Sequence, residues 1–177
     1  MNLPNKLTIL RMILVPVFVA LLMLTESGAM QLLAAAVFAA ASLTDWLDGY
    51  LARKNGQVTD FGKLMDPMAD KLLVMSALVG LVALGRASWL CTMILLAREF
   101  FISAVRLVAA SRGIVIAASK VGKAKTVTQM IAILLLLAAP SLPALELPGQ
   151  IALWISAVLS AWSMIEYTVQ NKEVFRT

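Results

Sequence analysis

Long apolar runs broken by short polar segments dominate the chain, and their lengths predict helices rather than strands. After the polar, basic opening 1-MNLPNKLTILR, with Pro4 ahead of a helix start, a first helix is expected from about Leu7 to about Leu24, ending at 25-TESGA. A second starts near Met30, passes through the small residues of 34-AAAVFAAAS and continues to about Lys54. Small side chains of that kind let helices approach closely inside bilayers. The polar turn 55-NGQVTDFG leads to a third helix from about Lys63 to 85-GR. A fourth covers roughly Ala87 to Ser111 and closes at Gly113. The basic segment 119-SKVGKAKT precedes a fifth that stops at 140-PSLP, and a sixth runs from about Pro148 to about Val169. The expected fold class is all-α: a polytopic six-transmembrane-helix bundle, with residues 1–177 forming one membrane domain.

Composition agrees with that pattern. Hydrophobic residues make up 61% of the 177 and charged residues only 14%, well below the usual quarter of a soluble domain. The alternating short segments of a β-barrel are absent. The first apolar run has no A-x-A-like cleavage site and reads as a retained helix. The net charge of +5 sits where topology wants it, so no nucleic-acid partner is implied. Lys6, Arg11, Arg53, Lys54, Lys63, Arg106, Arg112, Lys120, Lys123, Lys125, Lys172 and Arg176 fall toward one face, while the opposite connections hold Glu26, Arg86 and Glu146. The positive-inside rule then puts both termini in the cytoplasm. The one cysteine, Cys91, lies in an apolar run and supports no disulfide framework.

Against this background 44-TDWLDGYLARKNGQVTDFGKLMDPMADK-71 stands out, because it holds five of the ten acidic residues. Asp45 and Asp48 are three apart near the end of the second helix; Asp66 and Asp70 are four apart at the start of the third. Each spacing puts a pair on one helical face. The short connection makes the two helices neighbours, so four carboxylates can converge. Such a cluster needs cations, and oxygen-only ligands suit Mg²⁺, Mn²⁺ or Ca²⁺; with no histidine in the chain, zinc is disfavoured. Gly49 and Gly62 either pack helices or clear space for a substrate, and Arg53 can offer a fork to phosphate. Asp60 reads as a solvated loop residue or a cap.

The full pattern, Asp45-x2-Asp48-Gly49-x2-Ala52-Arg53-x8-Gly62-x3-Asp66-x3-Asp70, resembles the signature of the CDP-alcohol phosphotransferase family. The likeness extends to 4-PNKLTILR, 97-AREFFISAVR and 122-GKAKTVTQ, and is nearest to the bacterial members that join CDP-diacylglycerol to glycerol 3-phosphate. The resemblance implies a homodimer in the bacterial cytoplasmic membrane with a metal-dependent active site facing the cytoplasm. It implies Asp45, Asp48, Asp66 and Asp70 as ligands of Mg²⁺ or Mn²⁺, as two ions, with Asp70 also the general base. Asp45, Asp48, Gly49, Ala52, Arg53, Gly62 and Asp66 would then contact the CDP moiety. The chemistry expected is attack of an alcohol on the β-phosphorus of the CDP-lipid, with CMP leaving.

Acceptor choice depends on residues outside that signature. Arg98 and Glu99 sit well inside the fourth helix, where charge is costly, and Arg106 follows eight residues later near the same face. Arg98, Arg106, Lys123 and Lys125 are therefore expected to receive the acceptor's phosphate, while Glu99 either orients an arginine or balances charge. A basic pocket favours glycerol 3-phosphate over choline, ethanolamine or serine; inositol phosphate, or phosphatidylglycerol as in cardiolipin synthesis, would also satisfy it. Asn5, Thr8 and Arg11 share a helical spacing and form either a site rim or a capping and anchoring set. Trp89, Trp154 and Trp162 read as belt or core residues. Two other classes use acidic membrane helices. Intramembrane prenyltransferases need a second Asp-rich motif, and a divalent-cation transporter needs acids at mid-membrane on several helices.

Overall fold

The computed structural model describes the backbone of residues 3–24, 28–55, 60–114, 116 and 119–172, and the side chains of 9–24, 28–44, 68–69, 71–114, 116, 119 and 121–172. Among the described residues six α-helices follow in order: α1 Leu3–Met23, α2 Gly28–Asn55, α3 Asp60–Ala83, α4 Trp89–Ser111, α5 Lys120–Ala138 and α6 Glu146–Gln170, the last entered through a 3₁₀ turn at Pro143–Leu145. No strand occurs among the described residues. The helix order agrees with the apolar periodicity. Several helices start earlier than expected: α1 at Leu3 rather than about Leu7, α3 at Asp60 rather than about Lys63, and α5 at Lys120, so the basic segment expected to precede α5 forms its first turns. Ser119 explains the early start of α5, because its side chain caps the helix by accepting from the Gly122 N–H at 3.0 Å.

The stops after α3 and α4 share one device. Gly85 and Gly113 adopt φ of 69° and 73°. Past each glycine, the next N–H reaches back to the third-last helical carbonyl: Arg86 to Leu81 at 2.8 Å and Ile114 to Ala109 at 2.9 Å. The glycine N–H itself bonds Val82 and Ala110 respectively. This is a Schellman ending, and the left-handed glycine makes it possible.

Contacts along the helices define which ends lie together. Gly28 at the start of α2 abuts Ser141 beyond α5, Gly80 near the end of α3 abuts Leu22 of α1, and Gln31, Arg86 and Gln150 form one hydrogen-bonded group. At the other end, Lys71 of α3, Glu99 of α4 and Lys125 of α5 meet, with Arg106 of α4 on Tyr167 of α6. The helices therefore run alternately up and down. By connectivity, the termini of α2 and α3 that carry the signature aspartates belong to this second end.

Between the ends, Phe18 and Phe38 (ring centroids 5.9 Å apart) join Leu22, Leu73, Leu78, Leu81, Leu95, Ile133, Leu136 and Leu153 in the main core. Cys91 is buried in it. Large apolar residues also face outward and several polar ones inward. Phe100, Leu107, Val127, Val158, Trp89, Trp154 and Trp162 lie exposed, while Gln31, Arg98, Lys125, Gln129, Ser156, Ser160 and Ser163 lie buried. Among the described residues, Val121–Ala138 and Pro143–Gln170 are long and apolar enough to cross a membrane. Ile9–Met23, Gly28–Thr44 and Lys71–Ala83 are shorter apolar stretches, and α4 carries Arg98, Glu99 and Arg106.

The seam between α5 and α6 depends on Gly149, where a Cβ would lie 2.9 Å from the Leu136 side chain. Gly149→Val should destabilise the bundle by about 1–3 kcal/mol through overpacking. Gly85→Ala, which meets no neighbour, should cost about 1–2 kcal/mol from the backbone alone. Both are read as lowered unfolding temperatures in detergent; an unchanged Gly149→Val would contradict the seam.

Candidate active site

Helix α4 builds the site because its buried positions repeat at helical spacing: Cys91, Leu95, Arg98, Ile102, Val105 and Ala109. That register carries Arg98 into the bundle, 9% exposed, and places Glu99 at the edge of the same face. Helix α6 answers with hydroxyls at Ser156, Ser160, Ser163 and Tyr167, all buried. The Arg98 Nε donates to Ser163 Oγ at 3.0 Å. One turn further along α6, Arg106 Nε donates to the Tyr167 hydroxyl at 3.3 Å, with its guanidinium carbon 5.8 Å from the ring centroid.

Glu99 is the electrostatic centre. Its Oε1 accepts from Arg98 Nη1 at 3.0 Å and from Lys125 Nζ at 2.5 Å, and Lys71 Nζ stands 4.0 Å from Oε2. Lys71 also donates to Ser103 Oγ, which in turn donates to the Glu99 backbone carbonyl at 2.5 Å. Lys125 is 2% exposed, so this carboxylate supplies the charge partner that its burial demands.

Two cavities flank the group. The larger, about 450 Å³, is lined by Ser42, Arg98, Glu99, Arg106, Ser119, Gly122, Lys123, Thr126, Val127, Met130 and Tyr167. The smaller, about 230 Å³, lies between α3, α4 and α5 and is lined by Lys71, Val74, Met75, Leu95, Leu96, Glu99, Lys125, Thr126 and Gln129. Of the four residues expected to take an acceptor phosphate, Arg98, Arg106 and Lys123 share the larger cavity. Lys125 lines the smaller one and turns its ammonium to Glu99.

The structure locates the signature only in part. Asp45, Asp48, Gly49, Ala52 and Arg53 belong to α2, and Gly62, Asp66 and Asp70 to α3, but their side chains lie outside the described residues. Asp60, expected as a solvated loop residue or a cap, is instead the first residue of α3, and its side chain lies outside the described residues. The described margin still approaches the motif: Ser42 of the larger cavity is three residues before Asp45, and Lys71 directly follows Asp70. The donor set itself, four carboxylates and no nitrogen or sulfur, fits a hard divalent ion. Asn5 and Thr8 are also outside the described side chains, whereas Arg11 is buried within the bundle at 3% exposure.

Lys71, Gly122, Ser163 and Tyr167 were not singled out by sequence reasoning. A signal existed for two of them, since Ser156, Ser160, Ser163 and Tyr167 form a polar stripe at helical spacing on an otherwise apolar helix. Lys71 and Gly122 become visible only once α3 and α5 are packed against α4.

Comparison with known proteins bears on this arrangement. The profile of the CDP-alcohol phosphatidyltransferase family matches residues 1–162. A CDP-diacylglycerol–glycerol-3-phosphate 3-phosphatidyltransferase of Bacillus subtilis (strain 168) is 40% identical over 190 aligned positions, covering 99% of this chain and 98% of the relative. The proteins of the same name from Escherichia coli (strain K12) and Salmonella typhimurium (strain LT2) are each 42% identical over 171 positions, covering 94% of this chain and 92% of theirs. With nearly the whole chain aligned and the signature inside the matched region, the chain belongs to the CDP-alcohol phosphatidyltransferase family.

Proposed function

We propose that this chain is an integral membrane enzyme that transfers the phosphatidyl group of CDP-diacylglycerol to sn-glycerol 3-phosphate, giving phosphatidylglycerophosphate and CMP. The observation that carries this reading is the cavity of Arg98, Arg106 and Lys123 beside the helix ends bearing the signature, in a chain whose relatives share that activity name. Phosphorylated alcohols suit such a cavity; neutral or cationic alcohols do not.

The six helices are proposed to cross the cytoplasmic membrane of a bacterium, with both termini and the aspartate end in the cytoplasm. Arg106, Arg112, Lys123 and Lys172 lie toward that end and Arg86 and Glu146 toward the other, which supports the orientation. A homodimer is carried by the family resemblance.

Asp45, Asp48, Asp66 and Asp70 would hold two Mg²⁺ or Mn²⁺ ions. When bound, these supply charge neutralisation at the pyrophosphate and at the CMP leaving group. Gly49, Ala52, Arg53 and Gly62 would shape the CDP site. Arg98, Arg106 and Lys123, with Lys125 behind Glu99, would hold the acceptor phosphate and so fix its free hydroxyl near the β-phosphorus. The Asp70 carboxylate takes the hydroxyl proton as that oxygen attacks. The bond from β-phosphorus to the bridging oxygen breaks, and CMP leaves on the cytoplasmic side.

The purified protein with CDP-diacylglycerol, Mg²⁺ and a panel of acceptors tests the assignment. CMP release is expected with glycerol 3-phosphate and its loss is expected on chelation. No release with any alcohol would defeat the family chemistry, and release only with inositol phosphate or phosphatidylglycerol would defeat the acceptor. Separately, Asp70→Asn should lower kcat by about 10²- to 10⁴-fold while CDP-lipid binding stays within about threefold. Equal loss of binding and turnover would make Asp70 chiefly a ligand.

A further inference from the structure

The guanidinium of Arg98 has three edges, and two are already occupied. Nε is taken by Ser163 Oγ at 3.0 Å and Nη1 by Glu99 Oε1 at 3.0 Å. Nη2 is directed at Gly122, where an added Cβ would lie 3.1 Å away, against the first turn of α5. Both Arg98 and Gly122 line the larger cavity. The side chain is thus clamped from α4 and α6, with one N–H edge left at the cavity wall and a glycine giving it room. Glu99 is in turn fixed by Lys125, whose ammonium sits 2.5 Å from the same Oε1.

We propose that Glu99 is a positioning residue for the acceptor: anchored by Lys125, it holds Nη1 of Arg98 while Ser163 holds Nε, so that Nη2 is presented to the phosphate of glycerol 3-phosphate. Lys125 then acts through Glu99 rather than on the phosphate. A fixed fork matters because a guanidinium that must be reoriented on binding loses part of its interaction to side-chain ordering. The inference rests on the reading of the larger cavity as the acceptor site, and its test separates the two.

Glu99→Gln keeps the volume and one acceptor oxygen but removes the charge. Kinetics with both substrates varied are measured for Glu99→Gln, Ser163→Ala, Arg98→Ala and the double variant Arg98→Ala/Glu99→Gln. The KM for glycerol 3-phosphate should rise about tenfold in Glu99→Gln and about threefold in Ser163→Ala, with the KM for CDP-diacylglycerol within about twofold of the parent. Adding Glu99→Gln to Arg98→Ala should raise the acceptor KM by less than about twofold further, since the first acts through the second. Equal rises for both substrates, or fully additive effects, would overturn the positioning role. If Arg98→Ala itself leaves the acceptor KM unchanged, the acceptor site lies elsewhere and the proposal falls with it. Should Glu99→Gln fail to fold, Gly122→Ala carries a second comparison, because its methyl, 3.1 Å from Nη2, makes the Arg98 guanidinium give by a few tenths of an ångström while Glu99 and Lys125 keep their charges. An acceptor KM unmoved in Gly122→Ala would then count against the proposal.

Discussion

The Glu99 carboxylate is held among cations from three helices, and the site end of the bundle is organised around it. Lys125 and Arg98 contact it at 2.5 and 3.0 Å, and Lys71 approaches to 4.0 Å. Desolvating each ion costs several kcal/mol, and removing one member of a buried pair typically costs about 3–5 kcal/mol because its partner is stranded. Arg98, Lys125 and Glu99 therefore tolerate one another's burial only together, with the part-exposed Lys71 at the edge of the group. In the bilayer proposed above, where side chains facing lipid or one another differ little in hydrophobic energy, that condition would fix the relative placement of α4 and α5, with α3 held alongside through Lys71.

The same cluster divides the site. On one side lies the cavity where Arg98, Arg106 and Lys123 gather; on the other, a narrower space reaches Lys71 beside the signature's last aspartate. Around Glu99 alone the cations outnumber the carboxylate three to one, and Arg106 and Lys123 add to the excess. The dianionic acceptor proposed above would answer that imbalance, and at the aspartate end it would lie with the nucleotide and the proposed metal ligands at one end of the bundle. In the proposed reaction one substrate is a lipid and the other water-soluble, and a site at that end of the bundle would admit both.

Much of this was legible in the residues. Helix order followed from apolar run lengths, and Gly85 and Gly113 marked two helix ends because a left-handed glycine stop leaves a direct sequence trace. The spacing of Asp45, Asp48, Asp66 and Asp70 pointed to metal-dependent chemistry, and their side-chain arrangement lies outside the described residues. Arg98 drew notice because charge within an apolar helix demands a reason. What the sequence hid was pairing. Lys125 was expected to bind the acceptor phosphate; only the packing of α5 on α4 shows its ammonium turned inward to Glu99. Ser163 and Tyr167 are ordinary residues of α6 until its packing on α4 sets them against Arg98 and Arg106.

The most direct test is a structure of the protein with glycerol 3-phosphate bound. The account predicts the phosphate in the larger cavity, within hydrogen-bond distance of Arg98 Nη2 and close to Arg106 and Lys123. The hydroxyl end should point toward the helix ends that carry Asp45 and Asp70. A phosphate bound outside that cavity, with Arg98 still closed between Glu99 and Ser163, would contradict it.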